Sequence, residues 1–455
     1  MITGIMAYEL IISEKPSAAQ KIASALADYK PIKESQQGVP FYKVSHNKKD
    51  IIVACAVGHL YNLEEKESGK WVYPTFDIEW VPNEKTGYAG KYLQVIKKLA
   101  KEANEFTVAC DYDIEGEVIG LNIIRFACNQ KDAKRMKFST LTKPDLVKAY
   151  ESAAKHLDWG QANAGETRHY LDYYYGINLS RALTLAIKNA VNKRKTMSIG
   201  RVQGPALKII VEKEKEIMRF KPTPYWEIEL KGILNMAEIT AMHIKGRFER
   251  KEDAEKVIEA TKDRDGVVKE ITQKQVTIPA PYPFDLTTLQ TESYRCFRIN
   301  PKETLAIAQE LYVNGYISYP RTSSQQLPFE IGFKKILADI ARQKEYTNLA
   351  NSLIAKMPLR PNNGKKTDPA HPAIYPTGII PKLEGRKQKV YDLIVRRFLS
   401  TFADAAVRET SSIKIDVNKE IFVTSGTRTI ERGWFDFYGS YVPFKEEELP
   451  AVRKN

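Results

Sequence analysis

Up to about Leu157, short apolar runs alternate with helix-compatible stretches. Glu9–Ser13 is apolar and β-branched and is followed by the helix-like Ser17–Leu26. Ile51–Val57 and Phe106–Cys110 are further apolar runs, the second leading through an acidic loop into Glu117–Cys128. This alternation predicts a mostly parallel sheet with flanking helices, whose functional residues gather at the carboxyl ends of strands. Gln161–Ala190 and Gly204–Arg219 then read as helices. From Pro224 the period changes: Tyr225–Ile233, Ala237–Ile244 and Val267–Val276 alternate apolar with polar, as do Ser412–Val417 and Ile421–Ser425 much later. One sheet built from two separated stretches of chain is expected. Between them, from about Thr287 to Phe402, the spacing is mainly helical. Asn300-Pro301 supplies a cap and a first-position proline, and Ile331–Gln343 and Lys387–Thr401 carry apolar residues at helical intervals. The helical block is thus expected to be inserted into the β block, and the polar, basic loop Pro361–Asp368 is expected to be mobile.

Composition narrows the class. The 455 residues, 43% hydrophobic and 10% aromatic, support about two to four domains with cores of their own. No apolar run is long enough for a spanning helix, and the start, MITGIMAYELIISEKPS, lacks a basic leader region. No membrane partner and a cytoplasmic location are expected. Cys55, Cys110, Cys128 and Cys296 form no C-x-x-C pair, which argues against zinc ribbons and a disulfide framework. The net charge of +14 and the sequence pI near 9.2 point to a polyanion, nucleic acid first.

The candidate chemistry lies in a few motifs. Asp111-Tyr112-Asp113-Ile114-Glu115-Gly116-Glu117 follows the strand Phe106–Cys110. On a strand-to-helix turn the carboxylates of Asp111, Asp113 and Glu115 can converge on one hard cation, since Mg²⁺ takes oxygen ligands, and Gly116 allows the tight turn. The plainer alternative, a solvated acidic loop, is disfavoured by the buried strand before it and the basic chain around it. Glu14-Lys15-Pro16-Ser17 follows the first strand in the same way. A carboxylate there can face the acidic cluster, where like charges raise its pKa and suit it to general acid work; alternatively it is a helix start capped by Ser17. In GYISYPRTS, Tyr319 stands two residues from Arg321. A phenol can attack a phosphodiester while guanidinium matches its oxygens, although among 24 tyrosines any single one can equally be a buried aromatic. Arg168, Asp172, Gly176 and Arg181 recur at helical spacing, with an exposed ion pair as the alternative. Arg201 and Gln203 sit in a Gly-flanked turn opening a helix, suited to phosphate or base contact. His371, in AHPAIYPT, is one of six histidines and taken alone fits a structural role.

In their order, these motifs resemble the type IA DNA topoisomerases, of the archaeal sort. The resemblance runs from LIISEKPSAAQKIASAL through DYDIEGE, RHYLDYYYGINLSRAL, SIGRVQGPAL, PYPFDLTTLQ, GYISYPRTSSQQLP and AHPAIYPT to Arg432-Gly433-Trp434, nearly the whole chain. It implies a multidomain fold with α/β, α and β parts: a Toprim (Rossmann-like) domain and a torus-shaped clamp of helical and β domains. The implied division is a Toprim domain at 1–157, an incomplete helical DNA-groove domain at 158–222, and a β-rich arch at 223–284 and 405–440. A helical domain carrying the tyrosine occupies 285–404, and 441–455 begins a return segment. By the same resemblance Tyr319 is the nucleophile that cleaves one strand of DNA, leaving a 5′-phosphotyrosine and a free 3′-hydroxyl. Arg321 orients the phosphate, Glu14 is the general acid with Lys15 beside it, and His371 assists at the phosphate. Asp111, Asp113 and Glu115 match the acidic triad that would bind Mg²⁺, Asp111 serving more in proton handling than in ligation, while Arg168, Asp172, Arg201 and Gln203 would line the single-strand groove. The implied activity is relaxation of negatively supercoiled DNA without ATP, and no G-x-x-x-x-G-K-[ST] occurs. Ile114 departs from the arginine common inside the acidic motif, and Ser323 from the aspartate of the bacterial branch. The chain ends soon after the return segment begins and short of the zinc ribbons that such proteins often carry, so no zinc is expected in it. It reads as a shortened chain or as one part of a split enzyme whose second polypeptide supplies the rest. The alternatives without tyrosine chemistry are a Toprim-type nuclease or primase and a DNA-binding clamp.

Overall fold

The computed structural model describes residues 8–67, 71, 73–83, 87–192, 195–234, 236–356 and 358–450. The stretch before Tyr8 and the last five residues of 441–455 lie outside the described residues. Two compact units are present: Met1–Met218 with Leu305–Ser324 and Thr367–Pro372, and Arg219–Thr304 with Gln325–Lys366 and Ala373–Asn455.

The first unit is built on β1 (Tyr8–Ser13), α1 (Pro16–Leu26), β2 (Ile32–Gln36), β3 (Val39–His46) and β4 (Lys49–Cys55). A hairpin of β5 (Tyr61–Glu65) and β6 (Ile78–Pro82) follows, then α2 (Ala89–Ala100), β7 (Ala103–Ala109), α3 (Ile114–Asn122), β8 (Lys134–Arg135) and α4 (Lys143–Glu151). The six strands of its main sheet run β2-β3-β4-β1-β7-β8. The β4-β1-β7-β8 portion is parallel, and β2 and β3 add antiparallel strands at one edge. The sequence pattern predicts the parallel part. It misses β2, a polar and largely exposed edge strand, and β3, whose buried Val39, Phe41, Tyr42 and Val44 are broken up by Pro40 and Lys43.

All six residues of β1 are buried, as fits a central parallel strand covered on both faces. Leu10, Ile12, Ile52, Val108, Ile119 and Leu121 share one core, each contributing about 1.5–3 kcal/mol by its burial. The register sets Ser13 opposite Ala109, so the segments leaving β1 and β7, Glu14-Lys15 and Cys110-Asp111, emerge side by side. α5 (Trp159–Val191) is one long helix. It approaches α3 closely because Gly165 stands where a Cβ would lie 2.3 Å from Val118 and 2.6 Å from the Ile114 carbonyl. α6 (Gln203–Arg219) has no buried residue, and Leu207, Ile210 and Ile217 are exposed.

The second unit holds β9 (Trp226–Leu234), β10 (Ala237–Phe248), α7 (Lys251–Thr261) and β11 (Val267–Ile278). Then come α8 (Leu286–Phe297), the start of α9 (Pro301–Val313), α10 (Phe333–Ile340), α11 (Thr347–Ile354), α12 (Gly385–Ser400), β12 (Ala406–Val417), β13 (Glu420–Glu431) and α13 (Phe435–Tyr438). Its sheet runs β11-β12-β13-β10-β9, all antiparallel, so two stretches of chain separated by the helices do form one sheet. Ile413, Ile415 and Val417 on β12 alternate inward onto Phe422, Ile239 and Val257. Asn300 caps α9 by accepting from the Glu303 amide at 2.9 Å.

The loop expected to be mobile is pinned over most of its length. The amides of Asn362 and Gly364 donate to the carbonyls of Thr401 (2.7 Å) and Gln325 (3.0 Å), and the Gln325 amide donates to Lys366 (2.9 Å). Its polar residues satisfy backbone groups rather than solvent.

An ion pair with both side chains fully buried locks the acidic turn: Arg135 Nε donates to Glu117 Oε2 at 2.7 Å. Its Nη1 reaches the carbonyls of Cys110 and Met136 at 2.8 Å, and Nη2 that of Asp111 at 2.8 Å. Removing one partner of such a pair leaves an uncompensated buried charge. Arg135→Met is therefore expected to lower the free energy of unfolding by about 3–5 kcal/mol in chemical denaturation. Combining it with Glu117→Leu is expected to recover most of that loss; a double variant no more stable than the single one would refute the pairing account.

Candidate active site

The site lies at the carboxyl ends of β1 and β7. β1 ends at Ser13, and Pro16 opens α1, leaving Glu14 and Lys15 at the strand's tip. Lys15 Nζ bridges Glu14 Oε1 at 2.9 Å and Asp111 Oδ2 at 3.3 Å. Burial first, and then the Asp111 carboxylate, raises the Glu14 carboxyl above its ordinary value, with Lys15 opposing. Burial works against the Lys15 charge, but Asp111 and Glu14 outweigh it and raise its pKa.

Asp111 is buried and its Oδ1 accepts from the Tyr312 hydroxyl at 3.0 Å. Asp113 is the N-cap of α3, its Oδ1 accepting from the Gly116 amide at 2.7 Å, while its Oδ2 accepts from the Tyr319 hydroxyl. Gly116 is required here, because a Cβ would lie 2.1 Å from the Asp111 carbonyl oxygen.

Tyr319 is only 2% exposed. Its amide donates to the Ser139 carbonyl at 2.8 Å, and its ring packs against His371 (4.5 Å between centroids) and Tyr312 (5.1 Å). Burial first, then Asp113 and Asp111, push its phenol far above the ordinary value, with Arg321 pulling it down. The phenol is neutral in this state. Arg321 is exposed and makes no ion pair among the described residues.

His371 Nε2 lies 2.9 Å from the Tyr112 carbonyl, which can only accept, so Nε2 carries the proton and Nδ1 accepts from the Ser139 hydroxyl at 2.9 Å. Burial lowers its pKa, and the ring is the neutral Nε2–H tautomer. The Tyr319 and His371 segments are tied by Asp368. Its Oδ2 accepts from the Ser323 amide and hydroxyl, each at 3.1 Å, and its Oδ1 accepts from the amides of Ala370 (2.9 Å) and His371 (3.2 Å).

The structure therefore brings together Glu14, Lys15, Asp111, Asp113, Tyr319 and His371, with Arg321 near enough to act on the phenol. Glu115 goes elsewhere. Its Oε2 accepts from Nε2 of both His59 and His169 at 3.1 Å, and Arg168 lies 3.5 Å from its Oε1. Hydrogen bonds from the two histidines, His169 first, hold its carboxyl far below the ordinary range. From there an exposed chain of charge continues: Arg168 to Asp172 at 3.7 Å, and Asp172 to Arg201 at 2.7 Å. Gln203 opens α6 beside it and is exposed.

Sequence reasoning missed Arg135, Tyr312, Ser139, Asp368 and the His59–His169 pair. His169 stands next to Arg168 and His59 just beyond β4, a signal that spatial proximity alone makes readable.

A Toprim-type α/β domain, with carboxylates gathered at the ends of its parallel strands, is the class this arrangement defines. A model of the DNA topoisomerase family matches residues 156–455, and a model of the Toprim domain matches residues 9–141; the chain belongs to the type IA DNA topoisomerases. It is 47% identical over 450 residues to DNA topoisomerase 1 of Pyrococcus horikoshii, covering 97% of this chain and 66% of that protein. It is 48% identical over 454 residues to DNA topoisomerase 1 of Methanocaldococcus jannaschii, covering 98% and 58%. The fold matches the solved full-length topoisomerase I of Thermotoga maritima with a TM-score of 0.70 at 24% identity, over 96% of this chain and 70% of that one. The chain thus spans two thirds or less of the length of these two archaeal relatives. Toprim domains bind divalent metal ions. Among the described residues no helix is long and apolar enough to cross a membrane.

The raised Glu14 carboxyl has a consequence for stability. Its proton is held more tightly in the fold than in the unfolded chain, so stability is complete below the ordinary carboxylate pKa and is lost as pH rises through the folded value. Glu14→Gln, fixed neutral, is expected to raise stability by roughly 0.5–2 kcal/mol at pH 8 and to leave it unchanged at pH 3.5. Thermal melts at the two pH values check this; equal shifts at both would show that the carboxyl is not perturbed.

Proposed function

We propose that this protein is an ATP-independent isomerase of DNA that cuts one strand through Tyr319, passes DNA through the break and rejoins it, relaxing negative supercoils. The observation that carries this reading is the Tyr319 hydroxyl donated to Asp113 beside Asp111, Glu14 and Lys15. A nucleophile, a proton acceptor, a general acid and a cation stand within one cluster.

In the forward step Tyr319 Oη attacks phosphorus and the bond from phosphorus to the 3′ oxygen breaks. Asp113 takes the phenol proton, and Glu14, whose carboxyl retains a proton to higher pH than usual, gives one to the departing oxygen. Lys15 and Arg321 offset the negative charge that develops. Religation reverses each transfer, and because the phosphotyrosine keeps the energy of the phosphodiester, no ATP is needed. Because Tyr319 is buried, cleavage requires its segment to leave Asp113 and Ser139 so that phosphate can reach the hydroxyl; His371, released from Tyr112 and Ser139, is then free to donate to phosphate.

The cofactor is Mg²⁺, for which the all-oxygen donors Asp111 and Asp113 fit as ligands, with the Glu14 carboxylate gathered to the same place by Lys15. When bound, it would supply positive charge at the phosphate. The role of Glu115 as a third ligand requires it to leave its histidines. Arg168, Asp172, Arg201 and Gln203 form the expected single-strand groove, supported by the exposed charge chain that the first three make. The five-part domain division stands beside this reading, with 158–222 as the groove domain. The open apolar face of α6 suits a further helical segment, in the same polypeptide or a second one. The site of action is the cytoplasmic nucleoid.

With Mg²⁺ and a labelled single-stranded oligonucleotide, quenched in detergent, the wild-type protein is expected to carry covalent DNA at the 5′ side of the break, and Tyr319→Phe to carry none. An adduct with Tyr319→Phe would remove the nucleophile. Cleavage without any adduct would favour a Toprim-type nuclease, and salt-sensitive binding without cleavage a clamp.

A further inference from the structure

The chemistry proposed above makes no use of His59 and His169. His59, Glu115 and His169 present Nε2, Oε2 and Nε2 with both nitrogens 3.1 Å from the oxygen and all three atoms within 4.8 Å of one another. A tetrahedral ion with bonds of about 2.0–2.1 Å to nitrogen and oxygen separates its ligand atoms by about 3.3 Å, close to the two N···O distances of 3.1 Å. All three side chains are half-buried, leaving a side open for water. We propose that His59, Glu115 and His169 form a second cation site, selective for a first-row transition ion of the Zn²⁺ or Co²⁺ type and separate from the carboxylate pair Asp111 and Asp113.

The donor set decides the ion. Two imidazoles and one carboxylate suit Zn²⁺ or Co²⁺, whereas Mg²⁺ demands hard oxygen ligands in octahedral array. The three donors come from three places in the first unit, each fixed by packing that needs no ion. His59 follows Val57 and Gly58, both at positive φ (56° and 89°). A β-branched residue there is strained, and the turn is held because the Ala56 and Gly58 amides donate to the Ser13 (2.9 Å) and Glu14 (3.2 Å) carbonyls. Glu115 stands in the first turn of α3. His169 is on α5, which Gly165 brings against α3. Trp80 packs edge-on against the His169 ring at 5.5 Å and restricts its rotation. Each histidine donates from Nε2 to Glu115 in the metal-free state; on binding, Nε2 gives its lone pair to the ion and the ring proton moves to Nδ1 or to solvent. The Glu115 carboxylate is then shared between the ion and Arg168, so occupancy is felt directly by the first residue of the exposed charge chain.

The experiment is Co²⁺ titration of the whole purified chain in 5 mM Mg²⁺, followed by visible absorption, with X-ray absorption on the Zn²⁺-loaded protein. Expected are one tightly bound ion per chain, a four- or five-coordinate Co²⁺ spectrum, and two imidazoles in the zinc shell. His59→Ala and His169→Ala should each weaken binding at least tenfold, whereas Asp111→Asn with Asp113→Asn should leave it intact. The proposal falls if no stoichiometric ion binds the wild-type chain, if Mg²⁺ displaces the ion, or if the zinc shell contains no imidazole. Because these readouts use the wild-type protein, a histidine variant that does not fold leaves the test decisive.

Discussion

The site depends on the buried ion pair between Arg135 and Glu117. An unpaired charge in an interior costs several kcal/mol, so every acceptor around the guanidinium must hold its place. Those acceptors are Glu117 itself and the carbonyls of Cys110, Asp111 and Met136, which spans the turn from the end of β7 into α3. The second oxygen of Glu117 accepts from the Asp158 amide at 2.7 Å. Asp158 in turn caps α5 through the Gln161 amide and accepts from the Tyr112 hydroxyl. One charge pair thereby fixes both the backbone that aims Asp111 and Asp113 and the start of the helix that carries His169 and Arg168.

On that frame the sheet register does the rest. Ser13 opposite Ala109 forces the segments leaving two neighbouring strands into one small volume, and each carries a carboxylate within two residues of its strand, Glu14 and Asp111. Such crowding is tolerable because Lys15 lies between them, at the expense of a Glu14 carboxyl that resists ionisation. Tyr319 completes the arrangement by burying a neutral phenol on Asp113. The Tyr319 and His371 segments make polar contacts with the acidic edge at Ser139, Tyr112, Asp111 and Asp113. Net contributions of about 1 kcal/mol apiece make such contacts exchangeable for contacts to phosphate and water, as a large apolar interface would not be.

Much of this was legible in the sequence, for identifiable reasons. The buried strands β1 and β7 announce themselves as continuous apolar runs, and the residues just after them were marked by type and position. The antiparallel sheet of the second unit showed through its period of two, even across the helices that interrupt it. What stayed hidden depends on long-range contact. Nothing near Arg135 in the sequence says that it is the fully buried partner of Glu117. The loop at 361–368 looks mobile by composition, yet its amides and carbonyls close onto Gln325 and Thr401. Ser323, noted only as a departure from a pattern, binds Asp368 and so joins the Tyr319 and His371 segments.

Glu115 shows where the pattern argument has its limit. Alternate residues share a face only while the backbone is extended, and α3 begins at Ile114. Beyond that point each residue turns by about 100°, so a step of two residues swings a side chain by roughly 200°. Asp111 and Asp113, before the helix, both face Tyr312 and Tyr319. Glu115 and Glu117, inside it, go to opposite sides, one to the histidines and one to Arg135. The acidic motif is therefore three devices rather than one: a pair of carboxylates aimed at the tyrosine, one shared with two imidazoles, and one that holds the turn in place. A cation at the first pair and a softer one at the imidazoles would draw on different oxygens, and only Glu115 could be contested between them.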